Sequence, residues 1–300
     1  MKLENERYVV TFTTKGGEIE SFTDKETEIQ YMWQGNPDFW GGKNPTLFPI
    51  VGNTHSGDYE IDGKRYAMKN HGLIRYATLK DASTEDKVVM TLDSDENTLS
   101  QYPFPFHYEI AYTLENNRLT IVYHITNTGD KDMPFTFGLH PGFNCPLTQG
   151  EAFEDYKLVF SNPEHLQQLV FDKDKKKPYE IKEGDVTELP CDYDLIEEYA
   201  TLVYKGAKSA YVSLQGKEHG VRVSLIGYPY VAFWTAKKGA PFICLEPWYG
   251  HADFSEVSED FYHREGTMIL SANETFTTSY SIELFRAEPG GGVNMLGGRP

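Results

Sequence analysis

The chain has 300 residues, and its 28 basic and 45 acidic side chains leave a net charge of −17. Such a balance disfavours nucleic acid and anionic membrane surfaces as partners, and it reads as a solvated acidic exterior that aids solubility. Aromatic residues make up 14% of the chain, with 20 Tyr, 18 Phe and 4 Trp, a share that suits pleated, half-buried surfaces.

In chain order, the first expected element is a hairpin: a strand over residues 9–13, a turn at Gly16-Gly17, and a return over 18–22. A strand follows at 88–92. The clearest alternation is Ile110, Tyr112 and Leu114, then the polar turn Asn116-Asn117, then Leu119, Ile121, Tyr123 and Ile125, a second hairpin. Residues 154–159 and 192–198 read as short helical pieces, and the charge run 172–177 reads as a solvated loop. Strands are expected again at 201–204, 211–214, 221–225, 231–234 and 242–245, and Phe276, Thr278, Tyr280, Ile282 and Leu284 alternate near the end. No sustained alternation of strand and helix is present, which disfavours a doubly wound parallel sheet. The economical reading is all-β: one large antiparallel β-sandwich domain over residues 1–287, followed by a Gly-rich, disordered tail over 288–300.

Several chemistries lack their motif. No GxGxxG opens a helix and no Walker-type loop occurs, so nucleotide cofactors are unsupported. No GxSxG elbow occurs, so a hydrolase triad is unsupported. No two His stand at a helical metal-ligand spacing beside a Glu, so neither a metal nor any other cofactor is expected. Cys145, Cys191 and Cys244 form no CxxC pair and fit reduced thiols. The polar first residues lack an apolar signal core and no apolar run reaches membrane length, so a cytoplasmic protein is expected.

Four segments place polar or titratable groups beside Gly or Pro at the edge of apolar strands, where a rigid scaffold presents site residues. They are Asn44-Pro45-Thr46-Leu47-Phe48-Pro49-Ile50-Val51-Gly52-Asn53, His71-Gly72-Leu73-Ile74-Arg75, Gly138-Leu139-His140-Pro141-Gly142-Phe143-Asn144 and Cys244-Leu245-Glu246-Pro247-Trp248-Tyr249-Gly250. Glu246 ends a run that reads as a fully buried strand; a carboxylate there is desolvated and becomes a stronger base. The bland alternative is an exposed strand terminus. His140 can carry a proton near neutral pH. Its bland alternative is a core His bonded to a carbonyl. Arg75 suits either a structural clamp on a carboxylate or a contact to sugar hydroxyls or phosphate. Asp253 is the acid nearest Glu246 in sequence if two carboxylates flank a glycosidic bond.

Taken together, these segments resemble the aldose 1-epimerase (galactose mutarotase-like) family, most of all its LacX-type branch, from about Tyr8 to Phe285. The resemblance implies the antiparallel β-sandwich already expected and a cofactor-independent isomerase acting on a small monosaccharide. It implies His140 as general acid, Glu246 as general base and His71 as a second histidine near the ring oxygen. Arg75 would line the same pocket, and Trp248 and Trp234 would form its apolar walls. Two positions depart from the family pattern. Asn53 stands where relatives often carry Arg, and Tyr199 and Ala200 stand where an Asp is common, with Asp194 nearby. The expected activity is interconversion of aldohexose anomers. A hexose-phosphate 1-epimerase, a non-catalytic sugar-binding or sensing protein, and exchange of the acid role from His140 to His71 remain the alternatives.

Overall fold

The structure is a computed structural model that describes residues 1–174, 176–257 and 260–286. The expected tail over 288–300 lies outside the described residues. The architecture is dominated by one antiparallel sheet. Its strands run in the order Thr46–Leu47, Phe137–Leu139, Phe242–Tyr249, Tyr230–Trp234, Leu202–Lys205, Lys157–Val170, Tyr211–Gln215, His219–Ser224, Thr275–Arg286, Arg118–Asn127, Phe106–Glu115, Val88–Asp93 and Lys80–Asp81. Two further strands branch from this path: Gly142–Asn144 pairs with Phe242–Tyr249, and Glu180–Pro190 pairs with Lys157–Val170. The all-β, antiparallel architecture expected from the sequence is the fold.

The period-2 pattern explains most of these strands. In Arg118–Asn127, every second side chain from Leu119 to Ile125 is buried and the intervening ones face outward. The turn at Asn116-Asn117 closes the hairpin with Leu119 opposite Leu114 and Ile121 opposite Tyr112. The first hairpin forms between Tyr8–Phe12 and Ile19–Asp24. A single apolar cluster gathers residues from Leu3 to Leu284, with Phe22, Phe48, Tyr108, Phe135, Phe137 and Phe233 among its fully buried rings. Among the described residues, no helix is long and apolar enough to cross a membrane.

The expected helical piece at 154–159 is corrected. Only the turn Phe153–Asp155 is helical, and Lys157–Val170 is a strand of 14 residues. Leu158 and Phe160 alternate inward and pair with Leu214 and Val212, so sheet pairing overrides the local helical spacing. The second piece is a helix, Tyr193–Tyr199, capped by the Asp192 carboxylate, which accepts the N–H groups of Asp194 and Leu195. One helix went unread: Glu96–Gln101, opened by a reciprocal cap between Asp95 and Thr98.

Candidate active site

The site is built on the strand Phe242–Tyr249. Residues two apart on a strand share a face, so Cys244, Glu246 and Trp248 point the same way. In the adjacent strand Trp234, Ala232 and Tyr230 stand opposite them in register. The small Ala232 facing Glu246 leaves room beside the carboxyl. The other edge of the strand receives the segment that carries His140. Gly138 pairs with Trp248, Gly142 pairs with Cys244, and the Pro141 carbonyl accepts the Leu245 N–H at 3.2 Å. A side chain at Gly138 would come within 2.7 Å of the Trp248 ring, so the close approach needs glycine.

This docking brings His140 Nε2 to 3.4 Å from Glu246 Oε1. Both side chains are buried, Glu246 at 1% exposure and His140 at 6%. Among the described residues, neither oxygen of Glu246 has a hydrogen-bond partner, nor has His140 Nδ1 or Trp248 Nε1. Burial is the main cause pushing the Glu246 carboxyl well above its ordinary range, with the nearby Trp248 indole opposing it. Burial likewise pushes the His140 imidazole well below its ordinary range, helped by His71 and the Arg75 charge. The pair is thus favoured with one proton between its two members, as carboxylic acid and neutral imidazole or, after internal transfer, as carboxylate and imidazolium.

His71 faces His140 with ring centroids 5.2 Å apart and planes at 79°. Its backbone is in the left-handed region, φ 66°, and the following Gly72 has φ 81°. A Cβ on Gly72 would lie 2.2 Å from the Phe48 carbonyl oxygen, so glycine alone fits there. The Gly52 N–H donates to His71 Nδ1 at 3.0 Å, which leaves the proton on Nε2. Burial, then the charge of Arg75, hold the His71 imidazole down to about 3, so it is a neutral donor.

These groups line a cavity of about 570 Å³. His140, Glu246, His71, Arg75, Asn53, Trp248, Trp234 and Asp253, the eight residues singled out in the sequence, all border it. Trp40 was missed. Its ring lies 4.7 Å from the His140 imidazole at 31°, while Trp234 meets the same imidazole edge-on at 5.4 Å. Tyr199 and Ala200, the positions that depart from the family Asp, border the cavity, as do Lys173 of the charge run and Asn70, Phe171, Thr201 and Phe254, which carried no motif. The Asp253 carboxylate accepts the His55 N–H at 2.8 Å and pairs with Arg264, so its charge is committed to holding the loop. Asp194 lies outside the cavity lining and pairs with Lys238 at 2.9 Å.

The chain can be set beside known proteins at this point. The profile of the aldose 1-epimerase family matches residues 1–283. The chain belongs to the aldose 1-epimerase family. The chromosomal LacX protein of Lactococcus lactis is 31% identical over 301 residues, covering 95% of this chain and 99% of its own. A galactose mutarotase-like protein of Lactobacillus casei superposes with a TM-score of 0.88 at 26% identity, covering 95% of this chain and 99% of its own. A galactose mutarotase related enzyme of Lactobacillus acidophilus gives a TM-score of 0.88 at 28% identity, over 96% of this chain and 97% of its own. Family membership supports an isomerase-type role on sugars.

Proposed function

We propose that the protein is a cofactor-independent mutarotase that interconverts the α and β anomers of an aldohexose by acid–base ring opening and reclosure. The observation that carries this reading is the buried pair His140 and Glu246, 3.4 Å apart at the wall of a sugar-sized cavity. In opening, the Glu246 carboxylate takes the proton of the C1 hydroxyl while the His140 imidazolium gives one to the ring oxygen. The C1–ring-oxygen bond breaks and an aldehyde forms. Rotation about C1–C2 presents the other face, and the two transfers reverse on closure. Proton count is conserved throughout, because the pair begins and ends with one proton. Sugar hydroxyls entering the cavity supply the hydrogen bonds that the Glu246 oxygens lack, which favours the carboxylate in the complex.

His71 acts in this scheme as a neutral donor to the sugar. Protonating it as the acid in place of His140 would cost the hydrogen bond from Gly52, so the acid role is given to His140. Trp40 and Trp234 supply apolar walls for the sugar's C–H face.

A phosphorylated aldose is the second reading, favoured by Arg75 and Lys173. Both border the cavity of a chain with a net charge of −17, and neither is in an ion pair among the described residues. Cations left unpaired beside a sugar site suit an anionic substituent.

Polarimetry tests both. Fresh α-D-glucose, α-D-galactose and glucose 6-phosphate are followed to anomeric equilibrium with wild type and Glu246→Gln. Acceleration by wild type that is lost in the variant is expected. A wild type that accelerates none of the three would leave only a sugar-binding role without chemistry. A preference for the phosphate ester, with inhibition by inorganic phosphate, selects the second reading.

A further inference from the structure

Cys244 takes no part in the proton transfers above, yet it shares their corner of the fold. The His140 ring nitrogen, the Cys244 sulfur and a Glu246 oxygen all lie within 4.8 Å of one another, and all three residues are buried. We propose that His140, Cys244 and Glu246 form a site for one thiophilic divalent cation of the zinc class, and that its occupancy shuts off the proton-transfer pair.

Each donor is a zinc ligand by type, imidazole nitrogen, thiolate sulfur and carboxylate oxygen, and three protein ligands leave a fourth position open. The spacing fits. With zinc–nitrogen and zinc–oxygen bonds of about 2.05 Å, tetrahedral coordination separates N and O by about 3.3 Å. The observed separation of His140 Nε2 and Glu246 Oε1 is 3.4 Å. The sulfur needs to stand about 3.6 Å from each partner in such a centre, so it approaches by little more than an ångström from the 4.8 Å bound. The ligands are held on rigid backbone. Cys244 and Glu246 project from one face of a central strand, and His140 is pinned to the same strand through Gly138 and Gly142.

Among the described residues both Glu246 oxygens are buried without a partner, so they have acceptor capacity for a cation as well as for the sugar. Charge also matches. Zinc with one thiolate, one carboxylate and one neutral imidazole is net neutral, so a buried apolar corner tolerates the complete centre better than it tolerates any single charge. The ligating forms are thiolate, carboxylate and neutral imidazole, so a thiol and a carboxylic acid each give up a proton on binding. Uptake therefore follows the balance Zn²⁺ + Cys–SH + Glu–COOH + His → Zn(His)(Cys–S⁻)(Glu–COO⁻) + 2 H⁺. His140 and Glu246 border the cavity, which would give the ion its way in, while Cys244 is not among the lining residues. A metal there occupies both atoms that move protons, so it inhibits in competition with sugar. The inhibitory part rests on the proposed mutarotase reading; the binding part does not.

The test begins with Co²⁺ added to the reduced, metal-free protein, read by its thiolate charge-transfer and d–d absorbance. One equivalent with a thiolate band, displaced by Zn²⁺ and unaffected by excess Mg²⁺, is expected. Cys244→Ser loses the band and weakens binding about tenfold or more, whereas the Cys145→Ser/Cys191→Ser double variant keeps both. Zn²⁺ uptake in weakly buffered solution releases two protons. Should Cys244→Ser fold poorly, Cys244→Ala with a circular-dichroism check replaces it. If polarimetry detects mutarotation, Zn²⁺ slows it reversibly, EDTA restores it, and Cys244→Ser measured against its own metal-free rate loses the sensitivity. Absence of a thiolate band, or a band that disappears with Cys145 and Cys191 instead, overturns the site whatever the activity. A band without inhibition of an active enzyme overturns the blocking role.

Discussion

Glu246→Gln separates catalysis from stability, and the structure sets both magnitudes. The substitution keeps shape and removes the only carboxylate proposed to take the C1 hydroxyl proton. A positioned base is worth roughly 10²–10⁴-fold, or about 2.7–5.4 kcal/mol of barrier. Stability moves the other way. The carboxyl is 1% exposed and its oxygens lack protein partners. Its pKa is raised from 4.5 by burial, so the folded state holds the proton after the unfolded chain has lost it. The sign follows: wild-type stability is full below pH 4.5 and is lost as pH rises toward the folded-state value, at about 1.4 kcal/mol per pH unit. Glutamine carries no such penalty. The variant should therefore melt close to wild type at pH 4.5 and increasingly above it as pH rises, by about 3–6 °C per pH unit until the folded-state value is reached, at about 2–4 °C per kcal/mol for a chain of this size. Calorimetry across that range, alongside polarimetry, reads both. A variant that keeps more than about a tenth of the activity refutes the base assignment, and a melting difference that shrinks with pH refutes the account of burial.

The remaining predictions draw on the same cavity and core. The pair works only in its singly protonated state, bounded below by the lowered His140 pKa and above by the raised Glu246 pKa. The pH profile of kcat/KM should then be a broad plateau through neutrality, with the acid limb well under 6.5; a limb centred at 6.5 would point to an unperturbed histidine. His71→Ala removes one neutral hydrogen bond to the sugar and should raise KM about three- to tenfold with a smaller change in kcat. A kcat loss as large as that of His140→Ala would return the acid role to His71. Lys173→Met should raise KM for a hexose phosphate about tenfold or more and leave the free sugar unchanged; equal effects on both would remove Lys173 from phosphate recognition. Phe233→Ala, at a fully buried ring packed near Phe160 and Tyr204, should cost about 3–5 kcal/mol, read as a fall in Tm of about 10 °C with the active-site chemistry intact.

Much of the fold was legible because alternation is a local signal. The hairpin around Asn116-Asn117 and the buried run before Glu246 each declare their faces within a few residues. The hairpin of Lys157–Val170 with Glu180–Pro190 was not, because most of its second strand is exposed on both faces and offers no apolar alternation. His140, Glu246 and His71 stood out because Pro and Gly mark the sharp backbone that presents them. Trp40 did not, since it reaches the cavity by tertiary placement and carries no local pattern, and Lys173 sits in a charge run that reads as a solvated loop. The cluster of His140, Cys244 and Glu246 escaped for a related reason. Cys244 and Glu246 share one strand, whereas His140 comes from the link between Phe137–Leu139 and Gly142–Asn144, more than 100 positions earlier in the chain.

The motif residues flanking the pair have a physical role of their own. In the proposed reaction His140 and Glu246, 3.4 Å apart, stay ready as acid and base only if neither collapses onto another partner. Sheet hydrogen bonds along Gly138, Pro141 and Gly142 fix the His140 backbone, and the rings of Trp40 and Trp234 fix its imidazole. Among the described residues no protein donor is spent on the Glu246 oxygens, so their acceptor capacity is left for the ligand. Adding one, for example by Ala232→Ser directly opposite Glu246, should stabilise the carboxylate, lower its basicity and slow ring opening while raising Tm above pH 4.5. A serine variant with unchanged rate and an unchanged alkaline limb would mean that the empty acceptor sites of Glu246 are incidental to catalysis.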